Sequence, residues 1–302
     1  MTVSFNRLLA GPRVLVRRAL ACRPVSRGGI AVLALLGCTL APAAASANYG
    51  YVYWQGFDHH GTKSYSTSML ESDFPGVTWN EGIKDWRGYL TTLRKDGSHA
   101  LQIRYPKGTW GHDGGAQWAY PISGNHTDLY FEYHVRFKSG FDWALGGKLP
   151  GLGANEYKTT GGTLANGTNG FSARLMWREN GKAVAYVYRV NRPSGTTHGE
   201  DWEFKKNGNK VYFQRNKWHK VKMRVRLNTV RSNGSVVNNG RMICWLDGSK
   251  VLDKQNIRFR TTNSMKIDTM QFSTFFGGWG ETWAPDQDAY AVFDNLHVFT
   301  WN

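Results

Sequence analysis

The segment FSARLMWRENGKAVAYVYRV, at 171–190, carries a hydroxyl, a guanidinium and two phenols among apolar residues. Ser172 and Arg174 alternate with apolar side chains in its first half, and Tyr186 and Tyr188 do so in its second half. A period of two is typical of a β-strand with one buried face. The segment therefore predicts a β-hairpin whose polar groups could transfer protons or bind an anion.

The turn decides whether these polar groups lie together. A two-residue loop at 180–181 would send Arg174 and Tyr186 to opposite faces. A three-residue loop at 179–181, with Gly181 in the left-handed region, pairs Arg174 with Tyr186 and brings the other hydroxyl and phenol opposite each other. We expect the second register, because only it collects the apolar side chains on one face. An ordinary solvated face without chemistry is the alternative.

The elements that position this hairpin are strands. Alternating runs between Gly, Asn and Asp punctuation predict strands at 99–106, 128–137, 171–178, 183–190, 217–228, 240–248, 268–278 and 289–301. No amphipathic helical stretch of useful length and no repeat is visible. The pattern predicts an all-β, antiparallel β-sandwich of the jelly-roll type with a concave substrate groove.

The first 47 residues have the features of an export signal. Six arginines precede an apolar run at 30–40, and small residues at 45–47 fit a cleavage site. A lipoprotein attached at Cys38 is the weaker alternative. We expect a secreted or periplasmic protein with a single catalytic domain at 48–302 and no membrane span.

Removal of that leader takes away six of the 38 Lys and Arg residues and none of the 22 acidic ones, which leaves a net charge of +10. Cys244 is then the only cysteine, so no internal disulfide is expected. An exported basic protein suits an acidic polymer as its partner. Nucleic acid is not expected as a partner, and a monomer is expected.

Other residue patterns that could indicate a catalytic or metal site are less specific. No metal-ligand spacing and no G-x-S-x-G motif occurs. The acidic residues at 200–203 are of the type that hydrolyses glycosides, but they fall in a predicted loop. A structural calcium ion between Asp58 and Asp294 is an open alternative that no full set of ligands supports.

Two glycine-rich segments add candidates. Lys148 follows a double glycine in GGKLPGL, where the backbone can approach another group closely, although a solvated turn lysine would look the same. Trp279 and Trp283 lie in a glycine-rich loop and could stack on sugar rings. Substrate binding is predicted for four residues: Arg104, His112, Gln117 and Trp279.

Three segments together resemble polysaccharide lyase family 14: FDWALGGKLPGL, FSARLMWR with AYVYRV, and FFGGWGETWAP with DAYAVFDN. The resemblance spans roughly 51–301. It implies a jelly-roll sandwich that cleaves uronic-acid polymers such as alginate or glucuronan. The family's functional residues would fall on Lys148, Ser172, Arg174, Tyr186 and Tyr188.

The chemistry that the resemblance implies is β-elimination. A base removes the proton at C5, an acid protonates the leaving O4, and a cation offsets the negative charge that develops. Arg174 suits the last role, while Lys148 and Tyr186 are both candidates for base and acid. Tyr188 and Ser172 would orient the sugar, and no metal or other cofactor is expected. A non-catalytic carbohydrate-binding module or lectin is the competing hypothesis.

Binding of an acidic polymer by a protein of charge +10 should weaken with salt, because ions screen the attraction. The Michaelis constant for a polyuronide should therefore rise between low and physiological ionic strength. Steady-state kinetics in two buffers would measure it. A Michaelis constant that stays flat would contradict an electrostatic groove.

Overall fold

A computed structural model describes residues 49–92, 98–156 and 158–301. The export signal predicted for residues 1–47 lies outside these residues and stays a prediction.

The described residues are almost entirely β-structure. The strands are β1 Tyr49–Gln55, β2 Thr78–Glu81, β3 Gly88–Thr91, β4 Ala100–Tyr105, β5 Gly115–Pro121, β6 Asp128–Phe137, β7 Gly146–Ala154, β8 Phe171–Arg178, β9 Ala183–Tyr188, β10 Glu200–Glu203, β11 Lys205–Lys206, β12 Asn209–Lys210, β13 Trp218–Arg226, β14 Gly240–Leu246, β15 Ser249–Ile257, β16 Thr269–Phe275 and β17 Ala289–Trp301. One α-helix, α1 Thr67–Asp73, precedes β2, and 3-10 turns occupy Gly111–Asp113, Glu179–Gly181 and Glu281–Trp283.

Two antiparallel sheets form a sandwich. One has eight strands in the order β15-β14-β13-β6-β17-β4-β3, with β1 also paired to β17. The other has seven strands in the order β10-β9-β8-β7-β16-β5-β2. Apolar side chains from both sheets form one core, which confirms the predicted β-sandwich. All eight strands predicted from alternation are present, with ends shifted by up to three residues.

The centre of the seven-stranded sheet is buried on both faces. Strand β6 in the other sheet alternates between buried and partly exposed residues, as expected for one covered face. In contrast, all residues of β7 and β9 are buried, and so is β8 up to Trp177. The segment after β7 lies on the second face, where the backbone oxygens of Glu156 and Thr159 accept hydrogen bonds from side chains of the sheet. The polar face of the hairpin is therefore not an ordinary solvated surface.

The hairpin has the register expected from its apolar pattern. Arg174 pairs with Tyr186, and Ser172 pairs with Tyr188. The loop has three residues, closed by a hydrogen bond of 2.8 Å from the Arg178 amide to the Lys182 carbonyl. Gly181 has a φ of +81°, and Asn180 before it has a φ of +59°.

Other elements differ from the sequence-based expectation. Strand β7, which carries Lys148, has three glycines and a proline between its first and last residues, a composition that hides a strand. The acidic residues at 200–203 form strand β10, not a loop. Helix α1 has seven residues, too few to show a helical period. Within the described ranges, no helix is long and apolar enough to cross a membrane.

Gly181→Ala should destabilise the protein by about 2–4 kcal/mol, because an alanine there adopts a left-handed conformation and also overpacks its surroundings. Its Cβ would lie 2.6 Å from the Phe213 carbonyl oxygen and 2.9 Å from the Trp143 ring. Gly195→Ala is the matched control, since Gly195 has a φ of +79° and a Cβ there would meet no atom within 4 Å. Urea unfolding would compare the two variants. Equal losses of stability would show that the loop tolerates a side chain and does not hold the register.

Candidate active site

A cavity of about 670 Å³ opens on the seven-stranded sheet where β7, β8, β9 and β10 lie side by side. Its wall includes Lys148, Tyr186 and Tyr188 from these strands. The 3-10 turn and glycine-rich loop after β16 contribute Trp279 and Trp283. The sandwich thus supplies a rigid floor, and loops supply the rim.

Lys148 is buried in this cavity, with 8% of its surface exposed. It pairs with Met176 on β8, and its Nζ donates to the Met176 sulfur at 3.0 Å. The same Nζ lies 3.9 Å from the centroid of the Tyr186 ring. Burial lowers the pKa of this amine well below its ordinary value, and the positive charges of Arg174 and Arg178 lower it further. The residue is therefore a strand residue aimed into a cavity, not a solvated turn lysine.

The two tyrosines form the adjoining wall. Their rings are nearly perpendicular, at 85°, with centroids 5.6 Å apart. Each hydroxyl accepts a backbone hydrogen bond of 3.2 Å, that of Tyr186 from Gly199 and that of Tyr188 from Gly162. Burial raises the pKa of Tyr186, and the neighbouring Tyr188 raises it further. The Tyr186 phenol therefore keeps its proton at neutral pH.

Arg174 and Ser172 lie beneath the cavity and are not part of its lining. Arg174 is 1% exposed, and its guanidinium donates to Thr160 Oγ1 at 3.1 Å and to Ser273 Oγ at 3.4 Å. The Ser172 hydroxyl donates to the Thr159 carbonyl at 2.8 Å. The segment after β7 covers both side chains, and the contact of Ser172 and Arg174 with a sugar stays a prediction. The Arg174 charge reaches the cavity through its floor.

Sequence reasoning missed an ion pair in the cavity wall. Arg178 Nε and Nη2 donate to the two oxygens of Asp201 at 2.8 and 2.7 Å, and both residues line the cavity. The guanidinium also lies over the Trp283 ring, 5.5 Å from its centroid. The acidic residues at 200–203 were the sequence feature that could have pointed to this ion pair. The other carboxylates of this segment pair with cations too, Glu200 with Arg189 at 2.7 Å, which does not favour a hydrolytic pair.

The four predicted substrate-binding residues do not all line the cavity. Trp279 lines the cavity and is 93% exposed. Gln117 lies on β5 of the same sheet, where it is buried and donates to Glu81, outside the cavity lining. His112 is exposed in the 3-10 turn Gly111–Asp113.

Arg104 is not brought to the cavity, and its role in substrate binding stays a prediction. It lies on β4 in the eight-stranded sheet, the opposite layer of the sandwich. There its exposed side chain forms an ion pair of 2.9 Å with Asp288. Sequence alternation assigns a side chain to one face of a strand but does not tell which sheet the strand joins.

The proposed calcium pair also gains no support. Asp58 accepts a hydrogen bond from the His99 amide at 2.7 Å, and buried Asp294 accepts one from the Asn295 amide. Among the described residues, one group of three His and Asp side chains has converging ligand atoms, and it contains neither aspartate. No member of that group lines the cavity.

The polysaccharide lyase 14 family model matches residues 94–296. The chain belongs to polysaccharide lyase family 14. This finding confirms the resemblance in the sequence and supports an enzyme over a non-catalytic binding module. A search of curated proteins found no match.

Solved structures include relatives of this family 14 lyase. Alginate lyase Aly36B is 26% identical, with 83% of this chain and 97% of that chain covered and a TM-score of 0.69. A marine PL-14 alginate lyase from Aplysia kurodai is 29% identical, with 83% and 99% covered and a TM-score of 0.69. A variant of Aly36B with one lysine and one tyrosine replaced by alanine was solved with an alginate tetrasaccharide. It is 25% identical, with 83% of this chain and 97% of that chain covered and a TM-score of 0.69.

Lys148→Met should increase stability at neutral pH while abolishing activity. The folded-state pKa of this amine lies below its unfolded value of 10.5, so the unfolded chain binds more protons between the two values and wild-type stability rises with pH there. An apolar side chain of similar volume removes that penalty, on the order of 1 kcal/mol or more. Lys182→Met, at a partly exposed lysine paired with Glu203, is the control and should not stabilise. Denaturant unfolding across the alkaline range would measure both, and an unchanged pH slope in Lys148→Met would contradict the buried-amine assignment.

Proposed function

We propose that this family 14 lyase cleaves alginate by β-elimination, with Lys148 as the base and Tyr186 as the acid. The C5–H bond breaks as the Lys148 amine takes the proton, and its electron pair forms the C4–C5 double bond. The C4–O bond breaks at the same time, and the Tyr186 hydroxyl protonates the leaving oxygen. The observation that carries this proposal is a buried amine 3.9 Å from the Tyr186 ring, inside an open cavity.

The division of roles follows from the environment of the two groups. Burial and neighbouring guanidinium charges favour the uncharged form of Lys148, which is the form that accepts a proton. Burial and Tyr188 favour the protonated form of Tyr186, which is the form that donates one. Groups whose environments push their pKa values apart in this way are suited to opposite roles in one reaction.

The remaining residues suit a negatively charged sugar chain. The C5 proton becomes acidic only when the adjacent carboxylate is offset by positive charge. Arg174 beneath the floor supplies that charge from a buried position, while the Arg178 charge in the wall is paired with Asp201. Trp279 presents an exposed indole at the rim, where a sugar ring can stack.

We propose that this elimination needs no metal, since the positive charge of Arg174 can offset the substrate carboxylate in place of a Lewis acid. Turnover should therefore survive treatment with EDTA.

Incubation with alginate, glucuronan and pectate, followed by absorbance of the new C4–C5 double bond, tests the reaction and its substrate. Alginate should give the fastest rise. A protein that binds alginate without any rise in absorbance would be a binding module.

Tyr186→Phe should lower turnover by about two orders of magnitude or more, the usual scale for a proton-transfer group. Tyr212→Phe, at an exposed tyrosine outside this cavity, is the matched control and should keep wild-type turnover. Initial rates on alginate would measure both. Near-wild-type turnover of Tyr186→Phe would exclude the phenol as the acid.

The pH profile gives an independent check. Activity should increase with pH as Lys148 loses its proton, with a midpoint well below 10.5. No decline that belongs to Tyr186 should occur below pH 10, because its pKa is raised from that value. The ratio kcat/KM measured against pH would show the increase that belongs to Lys148 and would show whether any decline occurs below pH 10. A rising limb centred near the pKa of a free lysine would contradict an amine tuned by burial.

A further inference from the structure

A cluster of two histidines and one aspartate lies in the segment between β1 and β2, which the proposed reaction does not use. His59 Nε2 lies 2.8 Å from Asp73 Oδ1, and His60 Nε2 lies 3.0 and 2.9 Å from the two oxygens of the same carboxylate. The three ligand atoms all lie within 4.8 Å of one another. Two imidazoles thus present the same nitrogen to one carboxylate.

Asp73 sits where an anion is costly. Its side chain is 2% exposed, and it is the last residue of α1, at the negative end of the helix dipole. No basic residue occupies the last turn of that helix. Its ion pairs in the described part of the chain are with His59 and His60. A buried carboxylate in this position is stabilised by a positive charge placed between it and the two imidazoles.

The surroundings hold the carboxylate in one orientation. The Tyr65 hydroxyl donates to Asp73 Oδ2 at 2.7 Å, and the Tyr53 hydroxyl donates to the Asp73 carbonyl at 2.6 Å. Tyr65, Leu70 and the neighbouring Phe74 are fully buried in the main core. A ligand held by an outer hydrogen bond on a rigid frame is typical of metal centres. The His59 side chain is 54% exposed, which leaves a path for an ion and a position for water.

We propose that His59, His60 and Asp73 form a binding site for a divalent transition metal of the Zn²⁺ type. Two imidazole nitrogens and one carboxylate oxygen match a three-ligand zinc site with a water as fourth ligand. Ca²⁺ and Mg²⁺ prefer sets made of oxygen alone and do not fit. The ion joins the loop after β1 to the end of α1, and so stabilises the N-terminal part of the domain without entering the reaction.

Zn²⁺ titration of the EDTA-dialysed protein tests this site. Calorimetry should give one tight site, and Zn²⁺ at a hundred times its dissociation constant should raise the unfolding midpoint by about 5–10 °C. Ca²⁺ and Mg²⁺ should give no comparable shift. Alginate turnover well below the unfolding midpoint should not change, which separates this proposal from the proposed reaction.

Two variants locate the site. His60→Gln and His59→Gln should each lose the tight site and the thermal shift while keeping the fold, since His59 is exposed and glutamine can keep a hydrogen bond to Asp73. His126→Gln, at a histidine bonded to the Ser123 carbonyl elsewhere, should bind Zn²⁺ like the wild type. The proposal is overturned if the wild type shows no tight site, or if the two glutamine variants bind as tightly as the wild type. In the first case the cluster is a hydrogen-bonded imidazole–carboxylate group without metal.

Discussion

The pairing register of β8 between β7 and β9 is the constraint on which the site depends. Met176 faces Lys148 on one side and Val184 on the other, while Arg174 faces Gly151 and Tyr186. A slip by one residue would exchange the faces, so that Arg174 would enter the core and Trp177 would leave it. Burial of the apolar face therefore selects the same register that assembles the polar one.

The second face of that sheet is buried as well, and this changes how its polar groups act. The buried Lys148 amine lies near the guanidinium groups of Arg174 and Arg178, whose charges act strongly on it. Such an arrangement lowers stability locally, and the large aromatic core on the other face offsets that cost. The same burial that makes the charged form of Lys148 unfavourable leaves an uncharged amine that can accept a proton.

Backbone amides of the covering loops fix the positions of the two tyrosine rings in the cavity wall. Gly162 and Gly199 donate to the two tyrosine hydroxyls, and each amide fixes the direction of one ring. A Cβ on Gly199 would lie 2.8 Å from both rings, so a residue without a side chain is needed for this approach. Loops that are distant in sequence thus determine the geometry of groups that share one strand.

Much of the candidate active site could be predicted because its residues are local. Ser172, Arg174, Tyr186 and Tyr188 belong to one hairpin, where alternation and a three-residue turn specify which side chains face each other. Lys148 is different, because its position beside Tyr186 depends on β7 pairing with β8 across a long loop. Glycines and a proline in β7 hide that strand from any pattern. The double glycine made Lys148 a candidate, and the family resemblance implied its role.

The sequence by itself determined the strand pattern, the hairpin register and the positive charge, since these follow from periodicity and composition along the chain. Only the tertiary structure decided that Arg174 lies under a covering loop, that Arg178 joins Asp201 in the cavity wall, and that Arg104 belongs to the other sheet. It also brought His59 and His60 to Asp73. The physical reason is that burial and close contact depend on which strands and loops meet in space. The residues next to a side chain in the sequence do not determine which strands and loops it will contact.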